Sequence, residues 1–128
     1  ASMFKFVINL HQASFEINKY SFFGYGTGGF SHRDDRLERV VRKFKKTIKK
    51  DSKIILITHA PPYGTSLDRL DHAGHRGSKT IREIIEEIKP VLSLSGHLHE
   101  NSGNKDKIGN TLVINPGSKG KIIDLGDF

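Results

Sequence analysis

The sequence predicts an α/β domain, and three observations carry that reading. Two short segments are buried-strand candidates, the continuous apolar run Ile54-Ile55-Leu56-Ile57 and the stretch 91–95 with Val91-Leu92-Ser93-Leu94. Between them lies one segment with apolar residues at helical spacing, Ile81, Ile84, Ile85 and Ile88. Strand, helix and strand in that order form a βαβ unit, which predicts parallel neighbouring strands joined by a right-handed crossover. The 128 residues fit one domain, 1–128, within which Ala1-Ser2-Met3 reads as a vector remnant and is set aside.

Taken in order, residues 4–25 are rich in Phe, Val, Ile and Tyr. Within them Phe15-Glu16-Ile17 and Tyr20-Ser21-Phe22 flank Asn18-Lys19, the pattern of a hairpin. Four glycines in the six residues 24–29 predict a loop that closes the hairpin unit. Residues 33–50 place Leu37, Val40, Val41, Phe44 and Ile48 on one helical stripe, with Asp34 and Asp35 at the start and lysines at the end, as the helix dipole favours. The strand 53–58 follows, then a long polar loop over 59–77. Ser78 is placed to cap the second helix and Pro90 to stop it. After a loop over 96–107, residues 111–114 and 121–125 predict a terminal hairpin turned by Asn115-Pro116-Gly117-Ser118 and Gly120.

Composition narrows the function classes. The chain is 35% hydrophobic and 27% charged, with no run near the ~20 apolar residues that span a bilayer. Zero cysteines exclude disulfides, thiolate metal sites and cysteine nucleophiles, and suit a cytoplasmic protein. The net charge of +7 suggests an anionic partner, but segment 33–50 holds nine basic residues against three acidic ones and so carries nearly all the excess. On an amphipathic helix that pattern predicts a solvated face, and nucleic-acid binding is disfavoured.

Three of the seven histidines share one kind of place. His59 follows the 53–58 strand in Thr58-His59-Ala60-Pro61-Pro62, and His97 and His99 follow the 91–95 strand in Gly96-His97-Leu98-His99-Glu100. Ligands of open α/β sheets bind beyond the carboxyl ends of the strands, so parallel neighbours would bring these imidazoles to one edge. In an extended stretch, alternation would send Leu98 away and turn His97 and His99 to the same side. Imidazole is the commonest metal ligand near neutral pH, and the trio reads as a candidate metal site.

These two motifs and Asn115-Pro116-Gly117-Ser118, in this order and at this separation, resemble the later motifs of the calcineurin-like metallophosphoesterases. The segment with Leu67-Asp68 and Gly74-His75-Arg76-Gly77-Ser78 is similar to the small archaeal and bacterial members. The resemblance implies the C-terminal half of a metallophosphoesterase-like β-sandwich flanked by helices. It also implies hydrolysis of phosphate esters, as a phosphatase or phosphodiesterase, at a centre with two divalent ions, usually manganese, iron or zinc. By motif position His59 and His97 would bind one ion and His99 the other, with Glu100 and Asn115 behind them. His75 and Arg76 lie in the loop that would face a phosphate of the substrate, with a plain surface role as the alternative.

The family opens with D-x-H, G-D and G-N-H motifs, and none occurs ahead of Thr58 here. Asp34-Asp35 and His11 have the wrong setting to replace them. The chain therefore reads as a partial site that binds one ion or none, with no catalytic residue assigned and little activity alone. A single zinc held by three histidines is the fallback. A partial domain also predicts exposed apolar strand faces, covered by a homo-oligomer or by the missing N-terminal half. The second reading is a non-catalytic scaffold on the same fold, used for protein–protein interaction.

Overall fold

In the computed structural model the described residues are 7–28 and 31–128; residues 1–3 and Gly29 of the glycine loop lie outside them. The chain runs β1 (Ala13–Ile17), β2 (Tyr20–Tyr25), α1 (Asp35–Thr47), β3 (Lys53–Thr58), β4 (Arg69–Leu70), β5 (Gly74–His75), α2 (Lys79–Ile88), β6 (Leu92–Ser95), β7 (Lys105–Ile108) and β8 (Thr111–Ile114). Six strands form one sheet in the order β1-β2-β3-β6-β8-β7, and β4 and β5 make a separate ribbon. The α/β class holds. The inner four strands are parallel, and each edge strand is antiparallel to its neighbour.

The predicted βαβ unit is β3–α2–β6, with Ile55 opposite Leu92. A second such unit, β2–α1–β3, precedes it. Both helices lie on one face of the sheet. There Phe23, Tyr25, Ile54, Leu56 and Val113 form a single core with Leu37, Val41 and Phe44 of α1 and Ile81, Ile84 and Ile85 of α2. Asp34 caps α1 by accepting from the Leu37 amide at 3.0 Å, and Ser78 caps α2 by accepting from Ile81 at 3.1 Å, contacts typically worth about 1 kcal/mol each. Strand alternation sends Ile55, Leu92 and Ile114 to the other face, where half-buried Tyr20, Phe22, Ile57, Leu94 and Leu112 surround them. Among the described residues the C-terminal segment covers part of this face: Ile123, Leu125 and Phe128 pack on it, and the Tyr20 hydroxyl donates to the Leu125 carbonyl at 2.9 Å.

Two elements differ from expectation. β2 runs through Gly24 to Tyr25, into the predicted glycine loop. Glycine suits that strand position because a Cβ would lie 2.8 Å from the Leu10 carbonyl oxygen, where the incoming chain crosses. The terminal hairpin is β7–β8, turned at Gly109 (φ +58°) and Asn110, while 121–125 forms no strand. β8 is already paired on both sides, by β6 and β7, so it offers no free edge to the segment that follows it. Ile122 is accordingly 99% exposed. Among the described residues no helix is long and apolar enough to cross a membrane.

Candidate metal centre

The parallel pairing of β3 and β6 builds this site. His59 extends β3 by one residue: its amide donates to the Tyr25 carbonyl at 3.0 Å, and its carbonyl accepts from Gly96 at 3.1 Å. It is therefore fixed to the strands on either side. Past Ser95 the chain leaves β6 through Gly96, and His97 takes a left-handed conformation, φ +67°. A non-glycine residue holds that conformation at a cost, of order 1 kcal/mol or more, so the surrounding contacts must impose it. The turn brings the His97 ring to 4.6 Å from the His59 ring, centroid to centroid, tilted by 56°.

Burial lowers the His97 pKa, and the neighbouring His59 and His99 push it further in the same direction. The ring is thus held neutral, the state a metal ligand requires. The stretch 97–99 is not extended as expected. Left-handed His97 and the short 3-10 turn His99–Asn101 replace the extended stretch that would have turned both rings to one side. His99 is exposed and acts on His97 through charge. Among the described residues no group of three or more His, Cys, Asp or Glu side chains is arranged to hold a metal ion. The geometry supplies a pair of imidazole nitrogens with no carboxylate in the set. That pair fits nitrogen donation to one cation and does not fit a complete two-ion centre.

A cavity of about 400 Å³ opens beside the pair, on the sheet face without helices. Ile57 and Leu94 line it from the strands, and His97, His99 and Asn115 line its polar side. In its wall Ser95 Oγ is buried with no hydrogen-bond partner among the described residues, a group that a water or ligand in the cavity would satisfy. Asn115 holds the floor of the loop by donating to the Leu98 carbonyl at 3.2 Å and accepting from Gly117 at 3.0 Å. Glu100 is exposed in the 3-10 turn.

His75 and Arg76 sit on the β4–β5 ribbon side of the 59–77 loop, both exposed. His75 Nδ1 donates to Asp68 Oδ1 at 2.6 Å. Asp68 is fully buried and also accepts from the Gly64, Thr65 and Gly77 amides. This carboxylate gathers the loop, and sequence reasoning assigned it no role. The available signal was an Asp within a polar loop followed nine residues later by Gly77, where a Cβ would stand 2.8 Å from the Asp68 Cβ. Asn101 was also missed: it is buried and donates to the Leu67 and Arg69 carbonyls.

A family model described as "Metallophosphoesterase, calcineurin superfamily" matches residues 6–128. The uncharacterized protein MJ1162 of Methanocaldococcus jannaschii is 37% identical over 122 residues, covering 89% of this chain and 56% of that protein. The UPF0046 protein K07C11.7 of Caenorhabditis elegans is 32% identical over 114 residues, 85% of this chain and 37% of that protein. The chain thus spans about half the length of the first relative and less of the second. Among solved structures, TT1561 of Thermus thermophilus shares the fold with a TM-score of 0.64 at 20% identity, over 85% of this chain and 49% of that one. A further structure gives a TM-score of 0.69 at 23% identity, over 84% of this chain and 45% of its own length.

Proposed function

Since the chain belongs to the metallophosphoesterases of the calcineurin superfamily, we propose that it forms part of a metal-dependent phosphoric ester hydrolase, a phosphomonoesterase or phosphodiesterase. In this reading His59 and His97 would hold one divalent ion, and His99 would bind the other ion of a complete family site. Manganese, iron and zinc are the candidates. The observation that carries the reading is the His59–His97 pair, two rings 4.6 Å apart at the carboxyl ends of adjacent parallel strands.

When bound, divalent ions would supply charge neutralisation of the phosphoryl group and activation of a water. The chain's own contribution is different. His59 is locked by backbone bonds to both neighbouring strands, so its position is set before any ligand arrives. His97 is kept neutral by burial and by its histidine neighbours, so its nitrogen is ready to donate. Asn115 keeps the 96–99 loop against the sheet. His75 and Arg76, both exposed, are proposed contacts to a phosphate of the substrate. The missing carboxylates limit the chain to weak binding of one ion and little turnover by itself.

The open sheet face supports a further part of the reading. Its half-buried apolar residues are covered in the working protein by a second copy or by the remainder of a family domain. A non-catalytic scaffold is the alternative, and the lack of any three-ligand cluster among the described residues favours it. Cobalt(II) absorption or manganese titration decides between them. Binding that disappears in His97→Ala, with the fold intact by circular dichroism, supports the metal centre. No binding by the folded wild-type chain supports the scaffold.

A further inference from the structure

We propose that Tyr63, His75 and Lys79, with Arg76 beside them, form a binding site for a phosphate-type oxyanion, apart from the His59–His97 pair. This site holds a second anionic group of the substrate; that it serves a substrate rests on the hydrolase reading above, whereas the oxyanion site itself does not.

The site is built around one aromatic ring. The Lys79 ammonium stands 4.9 Å from the Tyr63 ring centroid, and the His75 ring lies 5.6 Å from it. The His32 ring meets the same tyrosine edge-on at 5.7 Å, with Nδ1 bonded to the Gly77 carbonyl. Three basic side chains thus converge on Tyr63. Arg76 follows His75 directly and is exposed. Among the described residues no carboxylate comes within ion-pair distance of Arg76 or Lys79. Glu83 and Lys79 influence each other through charge, but the Glu83 carboxylate is bonded to Arg33 at 2.7 Å.

The one carboxylate in the cluster, Asp68, is spent. Three backbone amides and His75 Nδ1 share its two oxygens, and none of its surface is exposed. Its acceptor role places the hydrogen on His75 Nδ1 and leaves Nε2 on the far edge of the ring. With 38% of the His75 side chain exposed, that edge can meet a ligand. An imidazole oriented this way handles either form of phosphate: neutral Nε2 accepts from the P–OH of a monoanion, and protonated Nε2 donates to a dianion. A loop that needed only fastening would be served by Asp68 and the backbone amides. It would not need an oriented imidazole and an uncompensated ammonium on one ring.

The position suits a substrate that reaches the histidine pair. Tyr63 is four residues after His59, a Cα separation of at most about 14 Å. The intervening segment is fixed, since the Tyr63 amide donates to the Ser78 carbonyl and the Ser78 amide to the Pro61 carbonyl. A phosphoester carrying a second phosphate is the substrate class this spacing fits.

The test is a titration of the metal-free, ¹⁵N-labelled chain with inorganic phosphate at constant pH, against sodium chloride at matched ionic strength, read by NMR. The His75 imidazole signals are expected to shift in a saturable way with phosphate alone. Lys79→Gln and His75→Gln should each weaken the binding about tenfold, the scale of one charge-assisted contact. Lys79 is exposed, so its variant remains readable if the His75 variant disturbs the loop. Equal shifts with chloride, or affinity unchanged in Lys79→Gln, would overturn the site. Because no metal is present, phosphate binding without metal binding fails only the hydrolase reading, and metal binding without phosphate binding fails only this site.

Discussion

On one face of the central sheet, Phe23, Tyr25, Ile54, Leu56 and Val113 are at most 7% exposed beneath two helices. On the other face of the same strands, Phe22, Ile57, Leu94 and Leu112 are only partly buried, around a small inner group of Ile55, Leu92 and Ile114. The difference follows from connectivity. Successive parallel strands are added in one direction, β2 to β3 to β6, so right-handed crossovers place both helices on the same side. No crossover is left to cover the other. The helix face is closed by the chain's own helices, whereas the open face carries the cavity lined by Ile57, Leu94 and His97.

The sharpest way to break this comparison is to cut equal side chains from the two faces. Leu56→Ala removes a side chain that is 1% exposed in the helix-side core. It should cost about 3 kcal/mol, since the helices cannot collapse fully onto the space. Leu94→Ala, at the partly open position, should cost about 1 kcal/mol, because less area returns to water and the cavity beside it is already open. Urea unfolding of both variants reads the difference directly. Equal losses would mean that the open face is as well packed as the other.

Charge placed on the open face should act on association more than on folding. If a second copy covers that face, Leu94→Asp should raise the dimer dissociation constant by about tenfold or more, the effect expected at a buried apolar contact. Light scattering across a concentration series measures it. A wild-type chain that scatters as a monomer throughout removes the second-copy reading and leaves the remainder of a family domain as the cover.

How much of this was legible in the sequence depended on which force set each element. β3 was legible from its unbroken apolar run Ile54–Ile57, and β6, Leu92-Ser93-Leu94-Ser95, from its place just after the Pro90 helix stop. Both helices were legible because one stripe of each must face the core. β7 was not, since Lys105-Asp106-Lys107-Ile108 is an edge strand held by backbone pairing, with only Ile108 in the core. Residues 121–125 have strand composition but find both sides of β8 already taken, which local pattern cannot reveal. At the site, His59 and His97 could be placed by counting residues from two strand ends. The left-handed backbone at His97, which sets its ring against His59 and breaks the extended stretch expected over 97–99, depends on contacts formed only in the folded loop. The Asp68 hub likewise depends on the loop closing across Gly64, Thr65, His75 and Gly77.

The smallest expected effect is the most specific to the open-face rim. His97 has its pKa lowered in the folded chain, by burial first and then by His59 and His99, from an unfolded value near 6.5. Above that value both states are neutral, and the residue leaves stability unchanged. As pH falls below it, the unfolded chain takes up a proton that the folded chain resists, so stability drops until the folded pKa is passed. His97→Gln, which has no such group, should lose less stability between about pH 7 and pH 5 than the wild type does. Parallel melting curves across that range measure the gap. The helix-face variant Leu56→Ala should show the wild-type pH slope, since its defect lies in packing alone. A slope unchanged in His97→Gln would show that the His97 ring is solvated in the folded chain, and that the rim is as open as the face beneath it.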